Sequence, residues 1–303
     1  MADPLVLAIF GPTASGKTAI AEAVAERILA ELVSADSMQV YRGLPILTNQ
    51  ASRPARLVAI WDLDHEASVG EYQRLAHAAI DEILAGGSTP IVVGGTGLYL
   101  RAALADLRLP PAPERGKRDR WERVYDDAGA TAAHELLAER DPAAAAAVHP
   151  NDRRRIVRGL ELAEVGASLR PDEDRLWAGD TRHRTIVFGV ELPEEELHGR
   201  IQARASAMFD AGVQEEVARA RRGPISSTAR QALGLDEVAT LPRDEALEAL
   251  VARTRRYASY QRKWMRRIAG LVTVCADRPA GEVADEILEV ARARQRLPAG
   301  RAG

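Results

Sequence analysis

Cys275 is the only cysteine in 303 residues, which excludes an intramolecular disulfide and a cysteine-rich zinc site. Lysine is nearly as scarce: Lys17, Lys117 and Lys263 stand among 41 basic residues, and the rest are arginine. With the abundant alanine, this bias reads as the composition of a GC-rich genome, and most of the arginines carry no mechanistic weight. No apolar stretch approaches the ~20 residues of a membrane span. The run Leu5 to Phe10 is too short for a signal-peptide core and leads straight into a glycine loop. An excess of positive charge is lacking as well, the net charge being −3, so the chain as a whole does not advertise a nucleic-acid partner. A local basic surface stays open, because a partner feels the local potential. Internal repeats are missing too. The expectation is a cytoplasmic, monomeric, folded protein, with 46% hydrophobic and 28% charged residues.

What is present is a strand–loop–helix alternation from residue 5 to about 105, the pattern of a parallel sheet with crossover helices. Leu5 to Phe10 reads as a central strand and Thr18 to Ala30 as an alanine-rich helix. Leu32 to Ala35 reads as a second strand, Glu71 to Leu84 as a helix, and Pro90 to Val93 as a third strand. Leu109-Pro110-Pro111-Ala112-Pro113 is a stiff boundary. Beyond it the signals are helical, at roughly 115–128, 131–140, 142–148 and 152–165. Strand patterns return at Thr185 to Glu191 and Leu271 to Cys275, with a long basic helix at about Asp244 to Ile268 and a frayed tail after Leu297. The expected architecture is α/β: a P-loop core with a parallel sheet and helices on both faces, plus an all-helical insertion. Its segments are 1–114 (core), 115–180 (insertion) and 181–303 (core).

Gly11-Pro12-Thr13-Ala14-Ser15-Gly16-Lys17-Thr18 matches G-x-x-x-x-G-K-[ST] between an apolar strand and a helix. The glycines let the loop curl so that amides point at phosphate oxygens. The helix N-terminus adds partial positive charge, Lys17 bridges terminal oxygens, and the Thr18 hydroxyl suits Mg²⁺. The motif indicates a phosphate ligand and is silent on the reaction. Asp36, in Ser34 to Tyr41, follows the second strand, where ligands of open α/β sheets bind. Its carboxylate could hold a metal, act as a base, or cap the next turn. Gly94-Gly95-Thr96-Gly97 holds the equivalent place after the third strand, with three glycines for close approach of backbone to ligand and the Thr96 hydroxyl among them.

Arg153, Arg154, Arg155 and Arg158 crowd a helix start, against the macrodipole, which points to a bound anion such as phosphodiester. Arg253 to Arg267 carries seven basic residues and no acidic one. Tyr257, Tyr260, Trp264 and Ile268 share one stripe there, expected to pack in the core.

In order along the chain, these segments resemble the tRNA dimethylallyltransferase (tRNA isopentenyltransferase) family. The resemblance rests on GPTASGKT at 11–18, SADSMQVYRG at 34–43, GGTGLYLRA at 94–102 and DPAAAAAVHPNDRRRIVRGLE at 141–161. RIQARASAM at 200–208, QALGLDE at 231–237 and TRRYASYQRKW at 254–264 add to it. It implies transfer of a dimethylallyl group from dimethylallyl diphosphate to N6 of the adenosine 3′ of the tRNA anticodon, with Mg²⁺ and with the P-loop holding the leaving diphosphate. It implies Asp36 as general base, Thr96 as a hydrogen-bonding group near the reacting centre, and Arg204 beside Lys17 on the diphosphate. Asp36, Ser37, Met38, Gln39 and Thr96, with Arg154, Arg155, Ile156, Val157 and Arg158, would contact the anticodon stem-loop.

The chain departs from the family at Leu47 to Ala51, at Ala59 where Asp is common, at Leu235 for Tyr, and at Ser259-Tyr260 for a basic pair. None of these removes a proposed catalytic group. Competing readings are an isopentenyltransferase acting on free adenine nucleotide, a small-molecule P-loop kinase, and a non-catalytic RNA-binding protein.

Overall fold

The N-terminal apolar run is β1, Leu5–Phe10, and all six residues are buried. Successive strand side chains point to opposite sides, so complete burial means that both faces of the sheet are covered. The structure, a computed structural model, describes residues 5–50, 53–111, 116–169, 176 and 179–296. Ala51, Ala112, Pro113 and the tail from Leu297 lie outside the described residues. The chain divides into two units, Met1–Asp106 with Gly179–Gly303, and Leu107–Ala178.

In the first unit, β1 is followed by α1 (Lys17–Ala25), β2 (Ala30–Ser34), α2 (Val69–Ala85), β3 (Thr89–Gly94) and α3 (Gly97–Leu104). Among the described residues, five all-parallel strands lie in the order β2-β3-β1-β4-β5, with β4 at Arg184–Glu191 and β5 at Val272–Cys275. The α/β class with a covered parallel sheet is therefore observed. The first helix ends at Ala25 instead of running to Ala30, because Ala30 already pairs with Thr89 in the sheet. Ladder formation overrides the helical propensity of the alanines.

Because the strands are parallel, β1, β2 and β3 all end at one edge, where the P-loop, Asp36 and Thr96 follow them. One face of the sheet, including Leu7, Ile9, Ile91 and Phe188, packs on Ile20 and Val24 of α1 and on Ile201 and Phe209. Those last two belong to α7 (Glu194–Asp210), which follows β4.

The second unit contains α4 (Lys117–Arg140), α5 (Pro142–Ala147) and α6 (Arg153–Glu164). Gly129 interrupts α4 at φ 82°, ψ 166°, dividing it into the two helical stretches read from the sequence. Asp141 caps α5 through the Ala144 amide at 3.0 Å. Trp121, Leu137, Ile156, Val157 and Leu160 form this unit's own core. The unit begins ahead of the 114/115 boundary. The remaining helices belong to the first unit: α8 (Val213–Ala220), α9 (Leu235–Thr240), α10 (Arg243–Met265) and α11 (Ala280–Arg296). Among the described residues, no helix is long and apolar enough to cross a membrane.

Candidate active site

The P-loop curls through Ala14 (φ 63°) and Gly16 (φ 87°). Gly16 stands at the N-cap of α1 without a side-chain cap, and no acidic residue occupies the first turn. The first amides of α1 are thus open to an anion. The Ser15 hydroxyl is buried beside Gly11 with no hydrogen-bond partner. Lys17 folds back on the loop, Nζ donating to the Pro12 carbonyl at 3.3 Å. Burial brings its pKa down to about 8; the Asp36 charge opposes this and Arg204 adds to it.

Thr13 is the hub of the loop. Its hydroxyl accepts from Arg204 Nη1 at 2.9 Å, and its amide donates to Gln261 Oε1 at 2.7 Å. Arg204 is pulled below its ordinary value by burial, with Asp36 opposing. Lys17, Arg204 and Asp36 thus form one charge network at the sheet edge.

Asp36 Oδ1 accepts from the Met38 amide at 2.9 Å and the Gln39 amide at 3.4 Å. The turn-capping role is therefore real, and it coexists with the electrostatic one because it engages a single oxygen. Thr96 Oγ1 accepts from the Ser37 amide at 3.2 Å and lies 3.4 Å from the Tyr257 hydroxyl. Burial first, then Asp36, push that phenol well above its ordinary range, so it stays protonated. The Gln39 side chain turns inward: Oε1 accepts from Ser34 Oγ at 3.1 Å, and Nε2 donates to the carbonyls of Thr48 (3.3 Å) and Asn49 (2.9 Å). The segment it holds is anchored from below by buried Glu216, whose carboxylate accepts from the Ile46 and Leu47 amides at 2.8 Å each.

Two expectations about the loop after β3 and about α10 need correction. The glycines after β3 admit other parts of the protein itself, not a ligand. A Cβ at Gly94 would lie 2.1 Å from the Ala35 carbonyl oxygen, one at Gly95 2.1 Å from Gln261 Nε2, and one at Gly97 2.2 Å from the Trp264 ring. The aromatic stripe of α10 is also not a core stripe, since Tyr260 is 54% exposed and the Tyr257 hydroxyl reaches Thr96. The buried side of α10 runs through Leu250, Val251, Ala258, Gln261 and Met265. Gln261 was missed, although it is three residues after Ala258 and four before Met265. A lone polar residue at those offsets on an apolar stripe is the signal that would have found it.

In the second unit, Asp152 caps α6 through the Arg155 amide at 3.1 Å. Arg153 pairs with Asp126 at 2.8 Å and Glu122 at 3.5 Å, and Arg158 pairs with the buried Glu161 at 3.0 Å. Carboxylates of the protein thus offset much of the charge crowding that seemed to demand an external anion. Ile156 and Val157 are 0% and 2% exposed, so their side chains belong to the core and cannot meet a partner. Arg154 is exposed and Arg155 leans on Asp152 at 3.5 Å.

The family model of IPP transferases matches residues 39–268, and that of isopentenyl transferases matches residues 4–56. A tRNA dimethylallyltransferase of Streptomyces coelicolor is 41% identical over 279 residues, covering 87% of this chain and 88% of the relative. One of Kineococcus radiotolerans is 41% identical over 284 residues, covering 87% and 88%. Among solved structures, a tRNA isopentenylpyrophosphate transferase of Bacillus halodurans matches at TM-score 0.69 with 31% identity, covering 97% of each chain. A eukaryotic dimethylallyltransferase crystallised acting on tRNA shares the fold at TM-score 0.78 and 23% identity, covering 99% of this chain and 82% of its own.

Proposed function

The chain belongs to the IPP transferase family, and from that premise we propose that it transfers a dimethylallyl group from dimethylallyl diphosphate to N6 of the adenosine immediately 3′ of the tRNA anticodon. Relatives named for dimethylallyl transfer to tRNA support the reaction class. The observation that carries the residue roles is the charge network of Lys17 and Arg204 with Asp36 beside an uncapped helix N-terminus.

The bond between the prenyl C1 and the diphosphate oxygen breaks, the N6–C1 bond forms, and the amine proton leaves to Asp36. Negative charge grows on the departing diphosphate, where Lys17, Arg204 and the amides of Gly16 to Thr18 meet it already oriented. The N6 lone pair is delocalised into the ring, so the amine is a weak nucleophile unless a base takes its proton as the bond forms. The Met38 and Gln39 amides hold Oδ1 of Asp36, which leaves Oδ2 for that proton. Thr96, already accepting from Ser37, has its own proton to give to the adenine edge. The adenosine reaches this point by leaving its stack.

Among the described residues, no cluster of three or more His, Cys, Asp or Glu could hold a metal by itself. The Thr18 hydroxyl would nonetheless hold Mg²⁺, an ion that needs few protein ligands. When bound it neutralises leaving-group charge. The helical unit, through Arg154 and its neighbours, grips the anticodon stem-loop, and the enzyme works as a cytoplasmic monomer. The test is mass spectrometry of nucleosides from tRNA incubated with the protein and dimethylallyl diphosphate. N6-dimethylallyladenosine next to the anticodon is expected; unmodified tRNA, or transfer that requires ATP hydrolysis, would overturn the reading.

A further inference from the structure

We propose that Gln261 is a specificity-determining residue that closes the P-loop to a third phosphate, and this rests on the reading of the loop as a diphosphate site. Gln261 is 2% exposed, and both ends of its amide are engaged. Oε1 accepts from the Thr13 amide at 2.7 Å, and Nε2 donates to the Gly95 carbonyl at 2.8 Å. Gly95 has no side chain to spare, since a Cβ there would lie 2.1 Å from Nε2. One side chain from α10 thus ties the P-loop to the loop after β3.

Any anion oxygen that bound the Thr13 amide would have to stand where Gln261 Oε1 stands. That oxygen carries partial negative charge and is fixed by its partner on Gly95, so it repels the anion as well as excluding it. The Thr13 hydroxyl accepts from Arg204 and keeps its own proton to donate, but a hydroxyl does not replace the blocked amide. The amides left for phosphate are those further along the loop, at the start of α1, beside the Lys17 and Arg204 cations. This shorter arc serves a diphosphate and denies a third phosphate its amide.

The experiment is calorimetric titration of the full chain with inorganic diphosphate and inorganic triphosphate, both with Mg²⁺. It is run on the wild type, Gln261→Ala and Gln261→Ser, with thermal melts alongside. The wild type should bind diphosphate about tenfold more tightly than triphosphate, the preference that one blocked hydrogen-bonding position supports (~1.4 kcal/mol). Freeing the Thr13 amide should erase that ratio in both variants, and kcat for prenyl transfer should fall because Arg204 loses a fixed Thr13. A ratio of affinities is insensitive to the folded fraction, so a merely structural role for Gln261 would leave it unmoved. Equal wild-type affinities overturn the proposal even if neither variant folds, and so does an unchanged ratio in a folded variant. A wild type that binds neither anion removes the diphosphate reading itself and the proposal with it.

Discussion

Burial of Lys17 makes donor binding pH-dependent in a predictable sense. Its folded-state pKa is about 8 against an ordinary 10.5. The charged form is therefore disfavoured by on the order of 3 kcal/mol in the free protein. The sign for stability follows from the depression. Between about pH 8 and 10.5 the unfolded chain still binds a proton that the folded chain has released, so stability rises with pH across that window.

Binding runs the other way, because a diphosphate beside Lys17 favours the ammonium. At pH 7 about nine-tenths of the free protein carries the charge, and at pH 9 about one-tenth does. The affinity for dimethylallyl diphosphate, whose own ionisation is complete below this range, should fall about tenfold between those pH values. It should fall with uptake of up to about one proton. Calorimetry without tRNA, in buffers of different ionisation enthalpy, reads both quantities. Lys17→Arg, charged throughout, should bind with no such trend. Affinity independent of pH from 7 to 9, or the same slope in Lys17→Arg, would refute the reasoning.

Asp36→Asn retains an oxygen for the Met38 and Gln39 amides, so its melting temperature should hold while single-turnover prenyl transfer falls by ~10²–10⁴. A near-wild-type rate would remove the base assignment. Arg154→Ala should weaken tRNA binding and flatten its salt dependence without loss of stability, since Arg154 is exposed. Arg158→Ala should also lower the melting temperature, because among the described residues the buried Glu161 is left with Arg118 as its one cation; tRNA affinity unaltered by Arg154→Ala across a salt series would reduce the cluster to an internal charge network. Ala59 holds φ 53°, a conformation that Asn tolerates better, so Ala59→Asn should stabilise the protein by ~0.5–1 kcal/mol in denaturant melts; a lowered midpoint would contradict it.

What could be read from the sequence was what local chemistry dictates. β1, the P-loop and α1 announce themselves because an apolar run, a glycine turn and a helix start are consecutive in the chain. Asp36 and Thr96 were found by the strand-end rule, which needs only the order of elements. Thr13 could not be seen as a hub, because its partners Gln261 and Arg204 lie 248 and 191 residues away. Glu216 reaches the Ile46 and Leu47 amides across 170 and 169 residues, and no periodicity in either segment foretells it. The arginine cluster misled for a related reason, since the partner of Arg153 is Asp126, 27 residues upstream on another helix. Helical-wheel reasoning on α10 grouped the aromatics correctly by angle but could not tell which side of the helix would meet the sheet edge.

The order of strands across the sheet also sets how the protein is made. β1 pairs with β3 on one side and β4 on the other, and Leu5 faces Arg184 in that second pairing. During synthesis β1, β2 and β3 can assemble while the ribosome is still producing the helical unit, and one edge of β1 then has no neighbour until residue 184 emerges. At ~5–20 residues per second the ~90 residues between β3 and β4 keep that apolar edge open for several seconds or longer. Helices 117–164, built from near-neighbour contacts, can fold within that interval on their own core. A ribosome that stalls, or a chain truncated before β4, therefore releases a half-sheet in which the hydrophobic strand β1 is an edge, paired with β3 on one side only, a form prone to aggregate.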